Sequence, residues 1–239
     1  MAAVDQLDAM GGKSPKGFFY LGVALFKMRY YDQAIKAFQK SCELKADDAQ
    51  LQYNLGLAYF KKEQYNIAVE HLKLCTQFDS CHLYAYNNLA FIYNMHQMYA
   101  EAINTCNLAR QNNPEGNHMC FRQWAFALYK KGQMAKAIEK IKQAIMYEPD
   151  DADNWVVWGL IMRTVGNYVS AKHKFERALK LDPENDTAKF EMQILTAVMN
   201  MDELIGLDQV PEICRLRALS NRQAPPVYRK NSVCGVIQE

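Results

Sequence analysis

The chain lacks most of the features that mark membrane proteins and nucleic-acid-binding proteins. Its formal net charge is only +2 over 239 residues, so we expect no nucleic acid and no anionic membrane as the main partner. The longest stretch without a charged residue, residues 80–100, is interrupted by Ser, His, Asn and Gln, so we expect no membrane insertion. The opening MAAVDQLDAM contains no apolar signal-peptide core. We therefore expect a cytoplasmic location, or one contiguous with the cytosol such as the nucleus or cilium.

Cysteine, histidine and glycine are present without the spacing that catalysis or metal binding requires. The seven cysteines include no Cys-x-x-Cys pair, which indicates reduced, core-filling thiols and argues against a structural zinc site. The five histidines are scattered along the chain. Gly-Gly-Lys-Ser at residues 11–14 has Leu7 where a phosphate-binding loop needs its leading glycine. The sequence therefore predicts that the protein is not an enzyme and uses no cofactor or metal.

What the sequence does contain is a repeat of about 34 residues, visible in three separate columns at intervals of 34, 34, 35 and 34 residues. The first column holds small residues: Gly22, Gly56, Ala90, Ala125 and Gly159. The second holds alanines: Ala34, Ala68, Ala102, Ala137 and Ala171. The third is mostly bulky: Phe38, Leu72, Cys106, Ile141 and Phe175. Three columns that share one period and one insertion indicate a repeat protein.

Each repeat has the pattern of two helices joined by a short turn. The five units are residues 15–48, 49–82, 83–117, 118–151 and 152–185. A small residue in the first helix, facing an alanine in the second, lets the two backbones pack closely as an antiparallel pair. Glycine stands at the inter-helix turn in the last two units, and Arg29, Glu63 and Gln97 replace it in the first three. We expect these replacements to change the turn geometry.

The fifth unit resembles the tetratricopeptide repeat (TPR) family. The matching residues are Trp155, Trp158, Gly159, Tyr168, Ala171, Phe175, Ala178 and Pro183. The resemblance implies an all-α fold, a right-handed α-solenoid of five helix-turn-helix repeats with a C-terminal capping helix. It also implies a concave face, lined by the first helix of each unit, that binds a peptide or helix from another protein.

The inner positions of the family, transferred to this sequence, give thirty residues, of which nine are aromatic, six basic and one acidic. We expect this groove, aromatic and amide-bearing with a basic margin, to bind protein partners and not to stay open to water. The residues predicted to bind a partner are Tyr53, Asn54, Leu57, Phe60, Tyr84, Asn87, Asn88, Phe91, Asn94, Arg122, Gln123, Phe126 and Tyr129. The amides resemble a ladder that holds a peptide backbone in some family members. The alternative is that they pair within the chain or face water.

The clamp with which some members of the family hold acidic chaperone tails is not expected here. Such a clamp needs cations on two first helices around a central amide. In each of the three possible registers only the central amide is present, as Asn54, Asn88 or Gln123.

The two ends of the chain differ from the repeats. We predict a flexible N-terminus over residues 1–14, and a capping helix followed by an amphipathic helical segment over 186–219. Residues 200–219 either extend the cap or fold back into the groove. Residues 220–239 are predicted to be an extended or disordered tail, basic and proline-containing, in which Pro-Pro-Val-Tyr at 225–228 matches a short WW-domain ligand pattern.

The function that follows is a non-catalytic adaptor or scaffold subunit within a multiprotein assembly. Members of the family serve in ciliary or axonemal, ubiquitin-ligase and chaperone-related assemblies, and the resemblance does not choose among them. The alternative is a regulatory or targeting cofactor of an enzyme acting in trans.

Overall fold

The computed structural model describes residues 14–45, 47–114 and 117–205, which form eleven α-helices, one short 3-10 helix and no strand. The α-helices are α1 (Pro15–Lys27), α2 (Tyr31–Leu44), α3 (Ala49–Lys61), α4 (Tyr65–Phe78), α5 (Leu83–Met95), α6 (Tyr99–Asn112), α7 (Phe121–Lys130), α8 (Met134–Tyr147), α9 (Ala152–Thr164), α10 (Tyr168–Leu181) and α11 (Asp186–Ile205). The 3-10 helix is Asn117–Cys120. The all-α helical repeat fold is confirmed. Predictions for residues 1–13 and 206–239 lie outside the described residues.

The helices belong to two compact units. The first contains the described residues of Met1–His96 and of Asn104–Asn117, and the second contains Gln97–Ile103 and the described residues of His118–Ser232. In the first unit α1 packs on α2 and α3 on α4, and α2 and α4 each contact the helix that follows. In the second, α7 packs on α8, α9 on α10, and α11 on α10 and α9.

The repeated alanines and the repeated bulky positions lie on the second helices, where in α2, α4, α8 and α10 they form the seam with the first helix of the pair. All ten side chains in these two columns have an exposed fraction of 0%. They are Ala34, Ala68, Ala102, Ala137 and Ala171, and Phe38, Leu72, Cys106, Ile141 and Phe175. Burial of these side chains stabilises the fold by about 25 cal/mol per Å² of apolar surface removed from water.

The small residue of the first helix lies directly against the bulky one of the second. A Cβ added at Gly159 would lie 2.5 Å from Cε1 of Phe175, and one added at Gly22 would lie 2.5 Å from Cδ1 of Phe38. Carbon atoms that pack well lie about 3.5–4.0 Å apart. Only glycine therefore fits these two positions while the phenylalanine keeps its place.

The sizes of the facing residues compensate along the repeats. Where the first helix has glycine, the partner is large: the pairs are Gly22–Phe38, Gly56–Leu72 and Gly159–Phe175. Where it has Ala90 or Ala125, the residue at the facing column position is Cys106 or Ile141. Because packed interiors have few voids, the residue on one helix restricts the size allowed on the other.

The turns between paired helices share one backbone conformation, which corrects the expectation that the first three units differ. Gly132 and Gly166 have φ of 75° and 86°, and Arg29, Glu63 and Gln97 have φ of 65°, 62° and 60°. This left-handed conformation costs a non-glycine residue about 1–2 kcal/mol. The seam and the backbone hydrogen bonds at the helix end, such as Tyr30 N–H to the Leu25 carbonyl at 2.9 Å, outweigh that cost.

Replacing Gly159 with Ala is expected to destabilise the protein by about 1–3 kcal/mol, because the new methyl group overpacks the seam against Phe175. Urea unfolding followed by far-UV circular dichroism measures the change in the free energy of unfolding.

The matched control adds Phe175→Ile, which reproduces the Ala–Ile combination already present at Ala125 and Ile141. The double variant is expected to be more stable than the sum of the two single changes, with a coupling of about 0.5–3 kcal/mol. Strict additivity would show that the two residues do not restrict one another.

Candidate functional site

The thirteen residues predicted to bind a partner come from three first helices. We call the nine from α3 and α5 the first-unit face: Tyr53, Asn54, Leu57, Phe60, Tyr84, Asn87, Asn88, Phe91 and Asn94. The four from α7 are the second-unit face: Arg122, Gln123, Phe126 and Tyr129. Eleven of the thirteen are buried, and only Tyr84 and Arg122 are partly exposed. No partner chain is present, so the chain itself buries these side chains. Their role in binding stays a prediction.

Tyr53 links the two helices of the first-unit face. Its hydroxyl accepts a hydrogen bond from Nδ2 of Asn88 at 3.2 Å. Its ring lies 4.7 Å from the imidazole of His82 and 6.5 Å from the ring of Tyr84. Tyr53 of α3 is thus held by His82, directly before α5, and by Tyr84 and Asn88 within α5.

His82 was not singled out by its sequence context, yet it positions this site. Its Nδ1 accepts the backbone N–H of Ala85 at 3.2 Å and so caps the start of α5. Burial lowers the pKa of His82, although Asp79 opposes the shift. The neutral imidazole is therefore favoured, and that is the form in which Nδ1 can accept. A histidine directly before a helical pattern, where Asp or Asn is usual, was the available signal.

A second aromatic contact joins the C-terminal halves of the same two helices. The rings of Phe60 and Phe91 lie 5.8 Å apart in an edge-to-face arrangement, and Phe60 makes a similar contact with Tyr65 at 5.6 Å. Such pairs stabilise packing by about 0.5–1.5 kcal/mol beyond their burial. These rings fix the spacing of α3 and α5, so the amides between them are held in place.

The amides of the first-unit face are buried but incompletely paired. Asn54 is 1% exposed, and neither its Nδ2 nor its Oδ1 has a hydrogen-bond partner among the described residues. The Oδ1 atoms of Asn87 and Asn88 are likewise buried without a partner in the described part of the chain. An unsatisfied buried polar group costs about 1–3 kcal/mol. Asn54 therefore offers one donor and one acceptor that the described helices do not use.

Arg122 of the second-unit face is already engaged by carboxylates. It pairs with Asp151, and its Nη1 lies 4.0 Å from Oδ2 of Asp153. Burial would lower the pKa of Arg122, but Asp151, Asp153 and Glu148 together raise it. Asp153 also accepts a hydrogen bond from Nδ2 of Asn185 at 3.1 Å. Arg122 is thus part of a structural ion network, and its charge is largely compensated.

The other residues of the second-unit face make contacts within α7 and with α9. Phe126 and Tyr129 lie 5.9 Å apart edge to face, and the ammonium of Lys130 lies 5.4 Å and 5.2 Å from their ring centres. The Tyr129 hydroxyl accepts from Oγ1 of Thr164 at 3.4 Å. Gln123 is 1% exposed. This face is aromatic with one exposed cation at its edge.

A buried ion pair between α9 and α11 was missed by reasoning from the sequence. Nη1 of Arg163 lies 2.8 Å from Oε2 of Glu191, and their side chains are 6% and 0% exposed. Burial raises the pKa of Glu191, against the opposite effects of Arg163 and Lys130. Breaking such a pair on one side leaves a buried charge and is strongly destabilising. Arg163, an inner position of the repeat, is therefore committed to packing α11.

Among the described residues, no helix is both long and apolar enough to cross a bilayer. Within those ranges, no group of three or more His, Cys, Asp or Glu side chains is arranged to hold a metal ion.

Comparisons with known proteins bear on both the repeat and the fold. Residues 30–63 match the TPR repeat, and residues 49–80 match the tetratricopeptide repeat. The chain is 25% identical over 172 residues to the protein O-mannosyl-transferase TMTC1 of Homo sapiens. That match covers 71% of this chain but only 20% of the human protein.

Solved structures share the fold at low sequence identity. YrrB, titled a TPR protein with an unusual peptide-binding site, superposes with a TM-score of 0.61 at 16% identity, covering 80% of this chain and 98% of its own. PilF of Pseudomonas aeruginosa gives a TM-score of 0.64 at 14% identity, covering 87% and 97%. These two likenesses concern the fold alone. The matched family models identify tetratricopeptide repeats within residues 30–80 of this chain, and the solved structures share its all-α helical repeat fold.

Proposed function

We propose that the chain is a non-catalytic adaptor that holds an extended segment of a partner protein along its first-unit face. The observation that carries this proposal is Asn54, whose amide is buried and has neither donor nor acceptor satisfied by the described residues. A TPR fold supports a protein-interaction role in general. Scaffolds of this family are also generally non-catalytic.

The chemistry of Asn54 suits a peptide backbone. A carboxamide donates and accepts at once, so it can pair with a backbone C=O and N–H without demanding a particular side chain. Asn87 and Asn88 add two further acceptors on the neighbouring helix. Asn88 already donates to Tyr53, so the alternative of pairing within the chain holds for that donor. It does not account for Asn54.

The flanking groups favour apolar anchors with an acidic residue beside them. The rings of Phe60 and Phe91 offer apolar surface. Lys61 lies 5.9 Å from the centre of the Phe60 ring, and burial together with Arg29 lowers its pKa. A carboxylate on the partner would stabilise the charged form of the Lys61 ammonium. Because Arg122 is paired with a carboxylate of the chain itself, fewer cations at the edge of the groove can pair with a partner than the sequence predicts.

A partner can bind only after the buried first-unit face has been exposed. Its side chains are buried by the chain itself, so a partner must displace whatever part of the chain covers them. Association coupled to such a change is slower than the usual 10⁵–10⁷ M⁻¹s⁻¹ for preformed surfaces. We therefore expect the partner to associate slowly. We also propose that the chain works in a compartment contiguous with the cytosol.

The second candidate is a regulatory or targeting cofactor of an enzyme acting in trans. The observation that favours it is the partial match to a protein named as a transferase. On this alternative the captured partner is an enzyme whose rate changes on binding. A rate assay of the captured partner, with and without the chain, separates this candidate from a scaffold.

Replacing Asn54 with Leu is expected to weaken partner capture at least about fivefold, because one net hydrogen bond contributes about 1 kcal/mol. Peptides selected on the wild-type chain from a displayed 12-residue library serve as ligands. Isothermal titration calorimetry then gives Kd for each variant.

Two controls accompany this measurement. Asn66→Leu makes the same chemical change at an exposed position of α4 and is expected to leave Kd unchanged. A chain ending at residue 205 tests whether residues 206–239 cover the face, in which case association becomes faster. Equal affinity for wild type and Asn54→Leu would rule out the proposed contact.

The same substitutions separate binding from folding. Asn54→Leu is expected to leave the free energy of unfolding unchanged or slightly raised, because it removes a buried amide without a partner in the described residues. Asn88→Leu is expected to cost about 1 kcal/mol, since it removes the hydrogen bond to Tyr53. Urea unfolding measures both. If Asn54→Leu costs more than about 2 kcal/mol, as a lost buried pairing does, the amide is structural.

A further inference from the structure

A cavity of about 440 Å³ lies in the first unit, at the N-terminal end of α3. It is an open cavity lined by the start of α1, the end of α2 and the start of α3. The side chains that line it include Lys16, Phe19, Tyr20, Lys45, Asp48, Gln50 and Leu51. Neither the repeat columns nor the proposed function uses it.

The cavity favours a negative group. Lys16 and Lys45 are exposed at its rim. The one carboxylate present, Asp48, is occupied: it accepts the backbone N–H of Leu51 at 3.1 Å and lies 3.8 Å from the ammonium of Lys45. The first turns of α1 and α3 contain no acidic residue, and the N-cap Ser14 makes no side-chain capping bond. The N-terminus of α1 therefore adds to the positive potential, whereas Asp48 offsets that of α3.

One donor in the cavity has no acceptor. Nε2 of Gln50 is buried without a hydrogen-bond partner in the described part of the chain. Buried polar groups in native proteins are nearly always paired, so this atom points to a ligand that brings an acceptor. Leu51, which is 1% exposed, gives the cavity an apolar floor, and the half-buried ring of Phe19 lies 5.6 Å from the exposed ring of Tyr20. The suitable occupant has a carboxylate next to an apolar side chain.

We propose that residues 1–13 of this chain fill the cavity, with the carboxylate of Asp5 or Asp8 at Lys16 and Gln50. The segment MAAVDQLDAMGGK has the required chemistry, since Leu7 and Met10 adjoin these acids. It joins the described chain at Ser14, which itself lines the cavity.

The six residues from Asp8 to Ser14 are enough for the segment to reach the cavity, and the segment contains glycines that allow the chain to reverse direction. Asp8 precedes Ser14 by six residues, and an extended chain spans about 3.3–3.6 Å per residue. Gly11 and Gly12 allow the tight reversal needed to return along α1. A short tether gives an effective concentration in the millimolar range, so a weak contact suffices. Docked in this way, the segment caps the first helix pair, and this inference is independent of the proposed function.

Nuclear magnetic resonance of the full-length chain tests the proposal. The double variant Asp5→Asn/Asp8→Asn is expected to shift the backbone amide signals of Gln50 and Leu51. Lys16→Gln/Lys45→Gln is expected to shift the amide signals of Asp5 and Asp8 in turn. Lys36→Gln, at an exposed position of α2, is the matched control and leaves the signals of both groups in place. Unchanged signals in both double variants overturn the proposal.

A second experiment supplies the segment in trans. A synthetic peptide of residues 1–12 is titrated into a chain that lacks residues 2–13. It is expected to bind with a Kd of about 1 mM or tighter, the range set by the tether. The Asn-substituted peptide and the Lys16→Gln/Lys45→Gln chain each weaken this binding at least fivefold.

Three outcomes count against residues 1–13 as the occupant. The first is no shift at Gln50 or Leu51 up to about 5 mM peptide, well above the effective concentration. The second is equal binding of an unrelated acidic peptide, which makes the cavity a site for acidic partners in general. The third is a dependence of the full-length signals on protein concentration, which makes a second copy of the chain the occupant.

Discussion

The close approach of two helices in each repeat is the constraint on which the rest of the structure depends. At Gly159 and Gly22 the facing phenylalanine leaves no room for a Cβ, and the alanine column seals the same seam at 0% exposure. This contact uses one side of α1, α3 and α9. Because the helical period then fixes which residues lie on the other sides, the seam decides where the amides and aromatic rings of α3 and α5 are placed.

The same constraint explains why the two faces differ in what they can do. In the first unit, aromatic contacts such as Phe60–Phe91 hold α3 and α5 at a fixed spacing, and the amide of Asn54 remains unused by the described residues. In the second unit, Arg122 and Arg163 are paired with carboxylates on neighbouring segments. The first-unit face therefore has free hydrogen-bonding capacity, whereas the charges of the second stabilise its own packing.

The helices and the seam could be predicted from the sequence because both follow from local periodicity and column spacing. The shared left-handed turn at Arg29, Glu63 and Gln97 could not, since tertiary packing overrides the preference of those residues for other conformations. Nor could the Arg163–Glu191 pair, which depends on side chains brought together from separate helices. The cap made by His82 is local, but histidine is an unusual residue at that position. The burial of Asn54 also escaped prediction, because a helical period gives the direction of a side chain but not what covers it.

The central claim is that Asn54 pairs with the backbone of a bound partner. A crystal structure of the chain with a peptide selected on it measures this directly. We predict that Nδ2 and Oδ1 of Asn54 lie within about 3.2 Å of a carbonyl oxygen and an amide nitrogen of the peptide, the usual limit for such bonds. A peptide bound elsewhere, with the Asn54 amide still unpaired or paired within the chain, would contradict the account.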